Sequence, residues 1–119
     1  MSATREPTIF ERIAAGEIPA RMVAETDRVI AFHDIAPQAP VHVIVTPRRG
    51  EYRDVVELAA ADPELLSELV SVARGVADDL AGGEFRLIFN TGPAAGQTVF
   101  HVHAHVLGGG LEEGSLGGR

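Results

Sequence analysis

The chain has 119 residues with 10 basic and 17 acidic side chains, a formal charge of −7 and no cysteine, which suits one domain with a real core and excludes disulfides, thiolate metal sites and thiol catalysis. Every basic residue is Arg, so a lysine Schiff base is excluded, and the acidic surplus lies in residues 54–89, the wrong sign for a nucleic-acid partner. Residues 1–8 are polar and no apolar run approaches the ~18 residues that span a bilayer, so the expected location is cytoplasmic with no membrane partner.

Thr8-Ile9-Phe10-Glu11 has capping-box spacing, and Ile9, Phe10 and Ile13 make an apolar stripe before Gly16, which predicts a short helix. Met22–Glu25, Arg28–His33 and Val41–Thr46 are rich in β-branched residues and read as strands, the first two joined by a turn at Thr26-Asp27. Asp62 is the expected cap of a long helix with Pro63 in its first turn, and its apolar residues recur at helical spacing as far as Leu80, before Gly82-Gly83. Glu84–Phe89 alternates as a strand, and a glycine-containing connector from Asn90 to Gln97 leads into residues 101–107. Strands that neighbour one another through turns, without regular βαβ alternation, predict an α+β domain on an antiparallel sheet of about five strands with one long and one short helix. The domain is expected over residues 1–109, with 110–119 a flexible Gly-rich tail.

The chemistry concentrates in His101-Val102-His103-Ala104-His105-Val106-Leu107. A strand's period of two puts three imidazoles on one face and Phe100, Val102, Ala104 and Val106 on the other. Burying imidazoles in a row has no packing advantage over Val or Leu, and each ring brings two nitrogens that need partners, so chemistry explains the run better than packing. One alternative is a histidine metal site, which a span of ~13 Å from His101 to His105 restricts to neighbouring rings plus His42 or a carboxylate. The other is nucleophilic catalysis, in which a neutral imidazole attacks an electrophile while its neighbours hold its tautomer and protonate what leaves. Residues 90–98 supply amide, hydroxyl and backbone N–H groups suited to phosphate oxygens without Lys.

The run resembles the histidine-triad (HIT) signature, His-φ-His-φ-His-φ-φ with φ apolar. Thr8-Ile9-Phe10 with Ile18-Pro19-Ala20, Ala31–Ile35 with Pro37–His42, and Gly96-Gln97 resemble the Hint-type branch, the histidine-triad nucleotide-binding proteins, and the similarity runs from about residue 8 to Gly109. The resemblance implies a homodimer with a continuous sheet, binding a purine nucleotide such as AMP or GMP, and a phosphoramidase-like hydrolase that splits P–N bonds without a cofactor or resident metal. It implies His103 as nucleophile on the α-phosphorus, His101 and His105 beside it at the phosphate and leaving group, and His42 in support. It further implies Asn90, Gly96, Gln97 and Thr98 on the phosphate and ribose side, Asp34 on the ribose hydroxyls, and Ile9, Phe10, Ile18, Phe32, His33 and Ile35 as the wall of the base pocket. A dinucleoside polyphosphate hydrolase and a non-catalytic nucleotide-binding module are the alternatives. Two departures stand out: Gly50 follows Arg48-Arg49 where these proteins usually carry a histidine, and the tail has no Trp in place of a tryptophan-proline segment.

Overall fold

The computed structural model describes residues 5–115. Helix α1 (Ile9–Ala14) is followed by β1 (Met22–Glu25), β2 (Val29–His33) and β3 (Val41–Pro47), then α2 (Val55–Ala61), α3 (Pro63–Leu80), β4 (Arg86–Phe89) and β5 (Ala104–Gly108). The strands form one antiparallel sheet in the order β1-β2-β3-β5-β4, so the last strand of the chain is inserted between β3 and β4. The expected α+β class is therefore observed. Among the described residues no helix is long and apolar enough to cross a membrane.

The two faces of the sheet have different partners. Val29 and Ala31 of β2, Val43 and Val45 of β3, and Ala104 and Val106 of β5 pack with Leu58 of α2 and with Leu65, Leu69, Ala73 and Val76 of α3. On the opposite face Ile30, Phe32 and Ile44 form a smaller cluster with Phe10 of α1. Alternation along β3 and β5 puts His42 and His105 on this second face with Ile44. Register places Ile44 opposite His105 and His42 opposite Leu107, which makes the two histidines diagonal neighbours across the strand pair.

Several sequence expectations need correction. Regular strand pairing begins only at Ala104, so His101 and His103 lie before β5, outside the ladder, on a segment held by the Val102 N–H donating to the Tyr52 carbonyl and the Val102 carbonyl accepting from Thr46 Oγ1. Phe100 does not join the core: it is 44% exposed, with the Arg53 guanidinium over its ring at 4.7 Å. Helix α2 was not expected; Asp54 caps it by accepting from the Glu57 N–H. Part of the expected tail is structured, with a 3₁₀ turn at Glu113–Ser115 and the Arg86 guanidinium donating to the Glu112 carbonyl; residues 116–119 lie outside the described residues.

Candidate active site

His103 is buried, and its Nδ1 lies 2.9 Å from the His101 carbonyl. A carbonyl oxygen only accepts, so Nδ1 carries the proton and donates, which leaves the lone pair of the neutral ring on Nε2. Burial lowers the affinity of this imidazole for a second proton. The ring rests edge-on against Phe10, centroids 4.9 Å apart, and at 5.2 Å from His105. His103 is thus a neutral imidazole with a fixed tautomer and an uncommitted nucleophilic nitrogen.

A second set of bonds fixes His105. The Gln38 backbone N–H donates to His42 Nδ1 at 2.9 Å, so the His42 proton sits on Nε2. That Nε2–H donates to His105 Nδ1 at 2.9 Å, which in turn places the His105 proton on its own Nε2. The pair presents His103 with a neighbour whose free ring nitrogen is a donor. Burial drives the proton affinity of His42 and His105 down; for His105 the neighbouring His103 and His42 add to the effect and the value falls to about 4. Asp34 Oδ2 lies 3.4 Å from His42 Nε2 and opposes the shift, while its Oδ1 accepts from the Ala36 N–H at 2.8 Å in a tight Asx turn. Asp34, His42 and His105 are also the described residues whose ligand atoms converge within 4.8 Å. A metal ion there would have to replace the bond between the two imidazoles.

His101 is placed differently from its expected role at the phosphate. It is fully buried, its Nε2–H donates to the Pro47 carbonyl at 2.7 Å, and its Nδ1 is 2.6 Å from the Thr8 hydroxyl. Both nitrogens are spent inside the protein, so what His101 offers His103 is its carbonyl. Gln97 is corrected in the same way. Its Oε1 accepts from the Gly92 N–H at 2.8 Å, and its Nε2 donates to the Arg53 and Val99 carbonyls at 2.7 and 3.1 Å. The amide therefore ties down the connector rather than facing a ligand, around a 3₁₀ turn (Pro93–Ala95) that Gly96 closes in a left-handed conformation. Val99 packs into the Phe10 cluster, which brings the end of the connector toward His103. Asn90 is half-buried and Thr98 exposed.

A cavity of about 510 Å³ opens beside Asp34, lined by Pro19, Ala20, Arg21, His33, Asp34, Ile35 and Pro37. Of the expected base-pocket residues it gathers His33 and Ile35, the latter 98% exposed. Phe10 and Phe32 are instead core residues with ring centroids 5.8 Å apart, and Ile9 and Ile18 are not in the cavity lining. Sequence reading missed Thr8, Pro47 and Gln38 as parts of the histidine network. Thr8 carried the visible signal of a capping box, whereas Pro47 and Gln38 act through the backbone, which side-chain identity does not reveal.

An antiparallel sheet thus carries a neutral, buried imidazole with a free lone pair beside a second histidine with a free N–H. The chain belongs to the HIT domain family, whose model matches residues 15–111. It is 49% identical over 108 residues to an uncharacterised HIT-like protein of Synechocystis, covering 87% of this chain and 91% of that one. It is 41% identical over 106 residues to the adenylylsulfatase HINT1 of Arabidopsis thaliana, covering 87% of this chain and 71% of the relative. Among solved structures it resembles a HIT family hydrolase from Clostridium thermocellum with a TM-score of 0.83 and 42% identity, covering 92% of this chain and 99% of that one.

Proposed function

We propose that the protein is a nucleotide-binding hydrolase that cleaves nucleoside phosphoramidates at the α-phosphorus through a nucleotidyl-histidine intermediate. The observation that carries this reading is the tautomer of His103: with Nδ1–H held by the His101 carbonyl, Nε2 is a neutral nucleophile that needs no base to activate it. In the first step the His103 Nε2–P bond forms and the P–N bond breaks, its electron pair leaving on nitrogen. The departing nitrogen accepts a hydrogen bond from the His105 Nε2–H and takes its proton from solvent, so His105 stays neutral; in the second step water gives its hydroxide to phosphorus as the His103 Nε2–P bond breaks, and the water's other proton returns to solvent. Positioning and a few donors supply what a phosphoryl group demands, and the polar groups of residues 90–98 serve the non-bridging oxygens. The cavity beside His33 and Asp34 is where the nucleoside would sit. An amine needs a proton in order to leave where a sulfate or a nucleotide does not, and the donor on His105 favours the P–N substrate over an adenylyl sulfate or a dinucleoside polyphosphate.

The test is a panel of adenosine and guanosine phosphoramidates, adenylyl sulfate and dinucleoside polyphosphates. Phosphoramidates should turn over fastest, His103→Ala should lose turnover while retaining nucleotide binding, and acid-sensitive labelling of His103 should appear in the wild type. Wild-type rates in His103→Ala would sink the mechanism, and a saturable nucleotide site with no turnover of any substrate would favour a binding module. We further propose a two-fold homodimer in the cytoplasm. Among the described residues β4 is the last strand in the sheet order, and Val70 and Leu80 of α3 are each 40% exposed, so both sheet and helix offer surface for a second copy. Light scattering should return twice the 12.6 kDa chain mass, and a fully active monomer would refute the pairing.

A further inference from the structure

Around His101 lies a set of bonds that the proposed chemistry does not use. The Thr8 hydroxyl caps α1 by accepting from the Glu11 N–H at 3.1 Å, and the Glu11 carboxylate accepts in return from the Thr8 N–H at 3.0 Å. The same carboxylate accepts from the Gly50 N–H at 2.7 Å and is bridged by both Arg5 nitrogens at 2.7 Å. Arg5 holds it charged, well below the usual carboxylate range. With the Glu11 N–H on the hydroxyl's lone pair, the Thr8 proton is directed to His101 Nδ1, 2.6 Å away. Gly50 closes the other side. A Cβ there would stand 3.1 Å from His101 Nδ1 and 3.2 Å from Thr8 Cγ2, so only a residue without a side chain lets the backbone approach this ring without pushing it.

We infer that Thr8, held by Arg5, Glu11 and Gly50, is a positioning residue for His103: its hydroxyl, together with the Pro47 carbonyl, fixes the tautomer and location of His101, whose own carbonyl in turn fixes the tautomer of His103. The inference rests on the proposed reading only in taking His103 as the nucleophile. A helix cap needs no more than an acceptor, and Ser, Asp and Asn serve as well as Thr. Donation to His101 requires a hydroxyl. Because Nε2–H of His101 is committed to the Pro47 carbonyl, its Nδ1 must accept, and a carboxylate at position 8 would face it lone pair to lone pair. His101 would then take a second proton, and a buried imidazolium beside His103 would withdraw the electron density that attack requires.

The full chain separates these roles through Thr8→Ser, Thr8→Asp, Thr8→Val and Gly50→Ala. Imidazole nitrogen NMR of the nucleotide-free protein reads the tautomers, thermal melting reads the cap, and phosphoramidate turnover reads the consequence. Thr8→Ser should keep the wild-type tautomers and a kcat within about twofold, since it retains both cap and donor. Thr8→Asp should melt close to wild type yet show both nitrogens of His101 protonated. Its kcat should fall by about 10- to 100-fold with KM little changed, the scale on which a reacting group misplaced by ~1 Å loses rate. Thr8→Val should lose both cap and turnover. Wild-type tautomers and kcat in Thr8→Asp would reduce Thr8 to a helix cap and overturn the inference, as would a Thr8→Ser protein as impaired as Thr8→Val. If Thr8→Asp does not fold, Gly50→Ala carries the test, because its cap is intact: it should disturb the His101 signals and lower kcat, and unchanged values in both overturn the inference. Should the wild type cleave no phosphoramidate, the function proposed above fails, while the NMR arm still decides whether Thr8 sets the two tautomers.

Discussion

Asp34 shows how one side chain can hold two duties. Its Oδ1 closes a turn with the Ala36 N–H while Oδ2 faces the shared proton of His42, and the cavity opens beside it. Asp34→Asn can preserve the turn, because the amide oxygen still accepts. It replaces the charged acceptor with a donor that opposes the His42 Nε2–H and is a weaker partner for ribose hydroxyls. Ribonucleotides should therefore lose affinity relative to deoxyribonucleotides by ~1–2 kcal/mol, the difference between charge-assisted and neutral hydrogen bonds, as measured by titration calorimetry. Equal losses for both sugars would assign Asp34 to the turn and the histidine pair alone. At this scale the sequence made the three histidines and their neighbours conspicuous, because strand alternation is a local property. It did not distinguish their roles. That His101 spends both nitrogens on Thr8 and Pro47, 93 and 54 positions away, is a fact of tertiary packing.

Among the elements, α3 was legible because its apolar residues recur over five turns and Asp62 and Pro63 mark its start. Helix α2 went unread for the opposite reason: at 7 residues it is too short to show a periodicity, and its single buried side chain is Leu58. Its signal is Asp54, which caps by accepting from the Glu57 N–H, with Glu57 three positions on accepting from the Arg53 N–H just before the helix. A helix this short depends on its cap and on Leu58 docking against α3, so Asp54→Ala should cost about 1 kcal/mol in urea unfolding while Asp54→Asn stays close to wild type. Equal stability of all three proteins would show that packing alone holds α2. The glycines and amides of the connector suggest a phosphate-side loop. Its shape depends on Gln97, whose amide crosses to Arg53, a contact no local pattern announces.

For the whole molecule the buried histidines set the pH response. His42, His101, His103 and His105 all bind a proton less readily when folded than the ordinary value of 6.5, burial being the largest cause in each. As pH falls below 6.5 the unfolded chain takes up protons that the folded one refuses, so the equilibrium moves toward unfolding. Stability contributed by these groups is full above that value and declines until the folded values are passed, about 4 for His105. Urea midpoints measured from neutral pH down to pH ~5 should drop steadily. A flat profile over that interval would mean that the imidazoles become protonated in place without unfolding the protein.

The insertion of β5 between β3 and β4 also has a consequence for the order of events during synthesis. A growing chain that has emerged as far as Phe89 can pair β1, β2 and β3 and form α3 against them, but β3 and β4 still face a gap for the missing strand, ~10 Å across at two strand spacings. Both bordering edges present unpaired backbone groups until the last strand arrives, which makes this intermediate the form most exposed to joining a strand from another chain. The strand that fills the gap brings His105 with it and follows directly on His103. Closure of the sheet and assembly of the histidine cluster are thus one event, and the proposed site is incomplete in any chain that has not yet sealed its own fold.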